Sequence, residues 1–131
     1  MPARIAACSC GQLTAIVSED PLRISICHCL DCQRRTGSVF GAQARFPRDS
    51  VSVRGNSTSY ERVSDDGNRV TFQFCPVCGA TLCYVMEGLE DSIAIPVGAF
   101  VDPQFPAPLV SVYEARKHAW VVLPAHIEHI P

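Results

Sequence analysis

The chain has 131 residues, 47% of them hydrophobic and 18% charged, a composition that fits one domain over residues 1–131 built on a single core. Its formal net charge of −2 supplies no field to draw in nucleic acid or an anionic membrane, and no apolar run approaches the roughly 18 residues of a membrane span. The first seven residues lack the apolar core of a signal peptide, so a cytoplasmic protein with neither nucleic acid nor membrane as partner is expected.

Runs in which every second residue is apolar, divided by turn residues, predict strands. In chain order they cover residues 13–17, 22–26, 39–46, 51–53, 70–74, 80–85, 93–97, 109–113 and 120–123. Asp65-Asp66-Gly67-Asn68 suits a hairpin turn before the fifth of these. Only residues 30–36 read as a helix, a short one ended by Gly37. Pro103, Pro106 and Pro108 cannot donate to a ladder, so residues 101–108 should form an ordered surface loop. About nine strands and one short helix predict an all-β fold, a sandwich or an open, barrel-like pair of sheets.

Eight cysteines bunched in pairs and triplets, in a chain without an export signal, favour metal ligation over a disulfide framework. Cys75-Pro76-Val77-Cys78-Gly79 has the form of a zinc knuckle, two thiolates gripping one ion across a tight turn. A structural tetrahedral zinc needs two further ligands, and Cys8-Ser9-Cys10-Gly11 is the natural donor, giving a closed site of four thiolates. The middle cluster, Cys27-His28-Cys29-Leu30-Asp31-Cys32, offers three thiolates and leaves a fourth corner open, the pattern of catalytic zinc. Three thiolates on a divalent ion leave a net charge of about −1, which makes a poor activator of water but a good seat for a substrate thiolate. Cys83 or His28 are the alternatives for the fourth corner, which would make both sites structural. Cys83, between apolar neighbours, reads better as a small buried hydrophobe, and His28, wedged between two ligands, as a side chain turned to the surface or placed behind a ligand.

Arg34 and Arg35 follow the open site directly and can clamp the carboxylates of a glutathione-like ligand, the alternative being a solvated helix face. His126-Ile127-Glu128-His129 carries metal-capable side chains, but a terminal segment is expected to be exposed and mobile. Tyr60, Tyr84 and Tyr113 are possible donors to a substrate, and the sequence selects none of them.

Taken together, Cys8-x-Cys10-Gly11, then Cys27-His28-Cys29-x-Asp31-Cys32-Gln33-Arg34 with Gly37, then Phe74-Cys75-Pro76-x-Cys78-Gly79, resemble the glutathione-dependent formaldehyde-activating enzyme family, also called the centromere protein V domain family. Ile95-Pro96-Val97-Gly98, Asp102-Pro103, and Lys117 before Trp120 fit the same pattern. The resemblance implies an Mss4-like fold of antiparallel sheets with two zinc ions. Cys8, Cys10, Cys75 and Cys78 would hold a structural zinc, and Cys27, Cys29 and Cys32 a catalytic one. It also implies a carbon-sulfur lyase that joins glutathione to formaldehyde. Ser111, where many relatives have histidine, and Cys83, where an aromatic residue is common, depart from the pattern. The expectation is a lyase acting on a thiol-aldehyde adduct, with a small thiol such as glutathione as partner. A non-catalytic two-zinc scaffold or chaperone-like module is the rival reading, and a redox or metal-buffering thiolate cluster ranks behind both.

Overall fold

The computed structural model describes residues 3–131. In chain order its strands are β1 (Arg4–Ala7), β2 (Thr14–Val17), β3 (Arg23–Cys27), β4 (Gly41–Pro47), β5 (Val51–Arg54), β6 (Thr58–Val63), β7 (Arg69–Phe74), β8 (Thr81–Met86), β9 (Ser92–Pro96), β10 (Val110–Val112) and β11 (Glu128–His129). One helix, α1 (Leu30–Thr36), joins β3 to β4. The fold is all-β and Mss4-like, as the sequence predicts. β1, β2 and β5 form a small sheet in the order β1-β2-β5, and the others a large sheet in the order β11-β10-β3-β4-β9-β8-β7-β6. The large sheet is antiparallel from β3 to β6, while β10 runs parallel to both β3 and β11.

Alternation along each strand divides the large sheet into two faces. Ile24 of β3, Ala44 and Phe46 of β4, and Ile93 and Ile95 of β9 turn toward Ala6, Ala15 and Val17 of the small sheet and form the main core. Phe46, Leu82 and Ile95 are fully buried there, each worth about 1.5–3 kcal/mol relative to exposure. The other face carries the partners of these residues: Arg23, Ser25 and Cys27 on β3, Gly41, Gln43 and Arg45 on β4, Tyr84 and Met86 on β8. A one-residue slip would exchange the two sets, so burial of the aliphatic face fixes which residues the opposite face presents.

Eight of the nine predicted strands overlap observed ones. The ninth, residues 120–123, is not a strand. Val121 is buried and its N–H caps a turn from His118, while Trp120 and Val122 are exposed, so the apolar run has no sheet neighbour to pair with. β1, β6 and β11 were not predicted. β6 is an edge strand with nearly every residue exposed, which erases the alternation that marks a half-buried strand. Residues 101–108 form the expected loop, held by Phe105 stacked on Phe100 with ring centroids 4.9 Å apart. The C-terminal segment is docked, not loose: Ile127 is buried and β11 pairs with β10.

Candidate metal centres

Cys8, Cys10, Cys75 and Cys78 bring four Sγ atoms within 4.8 Å of one another. Cys8 to Cys10 and Cys10 to Cys75 are each 3.6 Å, against about 3.8 Å for the edge of a tetrahedron with zinc–sulfur bonds of about 2.3 Å. Each pair ends in a glycine of positive φ, Gly11 at 85° and Gly79 at 80°, which lets the chain turn back beneath the sulfurs. Amide donors point at the cluster: Leu13 N–H to Cys8 at 3.3 Å, Val77 N–H to Cys75 at 3.4 Å, Cys78 N–H to Cys75 at 3.5 Å. Gln12 Nε2 donates to Cys75 at 2.9 Å, while the same side chain is held by Asn56 through both its carbonyl and its N–H. Burial pushes the Cys75 thiol up, but the Gln12, Cys78 and Val77 donors outweigh it and bring the group down to about 6. Four convergent sulfurs, with donors that favour the thiolate, fit a metal completely enclosed by protein ligands.

The second centre is built differently. Cys27 ends β3, Cys29 caps α1, and Cys32 lies one helical turn on, so strand end, cap and first turn converge. Cys29 Sγ accepts from the Cys32 N–H at 3.3 Å, and the helix stops at Gly37, φ 72°, whose N–H returns to the Gln33 carbonyl. The three sulfurs lie within 4.8 Å of one another and, among the described residues, no fourth ligating atom joins them. Donation from Cys27 and then from Cys32 holds the Cys29 thiol far below the usual thiol range, and the same contact pushes Cys27 above it. Three soft donors with a negative charge already favoured among them fit a metal with one corner free of protein.

That corner faces a cavity of about 260 Å³ lined by Cys27, Cys29 and Cys32 and by residues of the face opposite the core. Arg35 closes one side, its guanidinium 5.3 Å from the centroids of both Phe72 and Tyr84 and its Nη2 3.9 Å from Cys32 Sγ. Gly41 packs behind it, where a Cβ would lie 3.4 Å from Arg35 Nη2 and 3.5 Å from Cys32 Cβ. Arg62 pairs with Asp31 at 3.0 Å and stands over Phe72. Tyr113, with φ 57° and ψ 40°, occupies left-handed backbone at a cost of about 1–2 kcal/mol. It packs against the cysteines and donates to Asp66 Oδ2 at 2.8 Å, tying the β6–β7 hairpin across the cavity. Burial first, and then Asp66, hold the Tyr113 hydroxyl protonated well above its usual range, while burial does the same for Tyr84.

The remaining sequence candidates separate. Arg35 lines the cavity, whereas Arg34 lies exposed outside it, in an adjoining depression with Tyr60, Phe74 and Thr81. Tyr84 and Tyr113 line the cavity, and Tyr60 does not. Cys83 packs in the main core with Leu13 and Phe46, on the sheet face opposite the three cysteines, and burial raises its thiol to about 11. His28 is not at the surface: it is fully buried, its Nε2 2.9 Å from Ser111 Oγ and its Nδ1 without a partner. The chain turns outward at Cys27 and Cys29 to bring their sulfurs to the cavity, and this drives the intervening ring inward beneath β10. Gln33 links the same segment to the C-terminal part, donating to the carbonyls of His28 and Arg116 and meeting His118. His129 Nδ1 lies 2.6 Å from Glu114 Oε2, in a hydrogen bond away from both centres. Sequence reasoning missed Gln43, Arg23, Arg45 and Arg62, which become cavity residues only through strand register.

A model of the family described as glutathione-dependent formaldehyde-activating enzyme matches residues 3–116, a span that takes in both cysteine clusters and the cavity. The chain belongs to this family. Among solved structures, a protein from Rhodobacter sphaeroides is similar, with 22% sequence identity, a TM-score of 0.60, and coverage of 76% of this chain and 92% of that one. That likeness speaks to the fold. No curated protein matches the chain. Among the described residues, the four-cysteine and three-cysteine clusters are the two places that could hold metal ions, and the cavity adjoins only the second.

Proposed function

We propose that the chain is a zinc-dependent carbon-sulfur lyase acting on an adduct of a small thiol and an aldehyde, of the glutathione and formaldehyde type. The observation that carries this reading is the three-cysteine centre opening into a cavity that no fourth protein ligand closes. Cys8, Cys10, Cys75 and Cys78 would hold a structural zinc, and Cys27, Cys29 and Cys32 a second. A zinc on three thiolates offers one remaining position to a soft donor and makes a thiol there more acidic.

The chain's own residues supply the rest. Arg35, held against the adjacent rings of Phe72 and Tyr84 beside Cys32, offsets the negative charge that three cysteines concentrate in a half-buried space. Phe72, Tyr84 and Val112 exclude water from the cluster's cavity side. In the addition, the sulfur lone pair forms the carbon-sulfur bond, the carbonyl π pair moves to oxygen, and the thiol's proton ends on that oxygen. No oxidant or reductant is needed. Tyr84, held neutral by burial, is the O–H group on hand to donate to the developing alkoxide, because the Tyr113 O–H is already given to Asp66.

The adduct also forms without a catalyst, so the test is acceleration. Exchange spectroscopy with carbon-13 formaldehyde and glutathione should show faster interconversion with the zinc-loaded protein, and no acceleration with Cys29→Ser. An unchanged exchange rate at stoichiometric protein would remove the lyase reading and leave the two-zinc scaffold.

A further inference from the structure

Two arginines stand opposite each other in the cavity, and none of the carboxylates that also line it, Asp31, Asp65 and Asp66, forms an ion pair with either. Arg23 and Arg45 are register partners on β3 and β4, a placement in which like charges weaken a strand pair. Among the described residues neither forms an ion pair, and Arg45 Nη1 donates only to Ser92 Oγ, at 3.2 Å. Arg23 is exposed at the mouth and Arg45 half-buried behind it, and both line the cavity that the three cysteines line.

The rows between them are ordered. On the cavity face β3 presents Cys27, Ser25 and Arg23, opposite Gly41, Gln43 and Arg45 of β4. At about 3.3 Å per residue the rows stand roughly 7 Å apart, and the end rows about 13 Å. In the middle row Gln43 Nε2 donates to Ser25 Oγ at 2.8 Å. Its Oε1 has no partner, although Gln43 is only 7% exposed, and a buried acceptor left unmatched is costly unless a ligand donates to it.

We propose that these three rows form a binding ladder for a short anionic thiol peptide. Its sulfur sits at the Cys27 row, a peptide N–H donates to Gln43 Oε1, and a terminal carboxylate bridges the Arg23 and Arg45 guanidiniums. The sulfur end rests on the thiol reading of the three-cysteine centre; the carboxylate end rests on the arginines alone. A peptide of two or three residues spans about 7–11 Å, a distance that arginine side chains leaning along the face complete. A thiol without a carboxylate would leave the cationic pair unmatched, so the ladder selects against neutral and cationic thiols.

The test is calorimetric titration of the zinc-loaded protein with glutathione, glutathione diethyl ester, cysteamine and S-methylglutathione, which keeps the carboxylates but offers no thiolate. Arg45→Gln should weaken glutathione and S-methylglutathione by roughly tenfold and leave the ester and cysteamine unaffected. Arg23→Gln should do the same to a smaller degree. The melting temperature of Arg45→Gln should hold or rise, because an opposed charge is removed, whereas a structural role would lower it. Equal binding of glutathione and its ester, or indifference of S-methylglutathione to Arg45→Gln, overturns the carboxylate subsite while cysteamine binding leaves the thiol site standing. An Arg45-dependent S-methylglutathione that binds as tightly as glutathione keeps the subsite and removes the thiol site.

Discussion

The four-cysteine and three-cysteine centres use the same donor atom but stand in different surroundings. At the first, two glycine-ended loops, one between β1 and β2 and the other between β7 and β8, meet, backbone amides and Gln12 point at the sulfurs, and all four sulfurs come from the protein. At the second, a strand end and a helix cap supply three sulfurs, and these border a cavity walled by arginines, aspartates and aromatic rings. The difference teaches that openness is made by the sheet face as much as by the cysteine count. Cys83 belongs to β8, a strand that helps line the cavity, yet alternation sends it to the core face and Tyr84 to the cavity. A closed centre tied across the chain should carry stability, and an open one on a preformed face should carry chemistry.

The largest effect that would sharpen this contrast is loss of the closed centre. Cys75→Ser should lower the melting temperature by roughly 20 °C or more, or leave no cooperative unfolding transition in calorimetry, because a metal held there would couple its binding to joining the N-terminal loop to the β7–β8 hairpin. Cys29→Ser should cost about 1–2 kcal/mol in denaturant unfolding, retain one zinc per chain by elemental analysis and lose the exchange acceleration. Equal stability losses in the two variants would break the division of labour. The smallest effect concerns Gln12, which holds Cys75 and Asn56 together. Gln12→Leu should cost about 1 kcal/mol and speed zinc loss to a chelator from the closed centre alone.

Much of both centres was legible because their ligands sit in short local motifs. Cys8-x-Cys10-Gly and Cys75-x-x-Cys78-Gly announce themselves by spacing and by the glycine that the turn requires, and the seven cysteines divide as the sequence predicts. The strands of the core were equally plain, since Val70, Phe72 and Ile93, Ile95 alternate against water. What the sequence hid is set by pairing. Arg23 and Arg45 are 22 positions apart in the chain and become neighbours only through the β3–β4 register. His28 reads as an outward side chain until β10 lies parallel to β3 and puts Ser111 beneath it. Arg34 and Arg35 look alike in sequence, yet only Arg35 falls on the helix face that meets the cavity.

The central claim, one closed centre and one open to a thiol, is tested most directly by cadmium-113 NMR of the fully substituted protein. Two resonances are predicted, and addition of glutathione should move only one of them, toward the position of the four-sulfur signal, with Cys29→Ser removing that resonance and leaving the other in place. Two resonances that both ignore glutathione, or a shift of the one that survives in Cys29→Ser, would contradict the account.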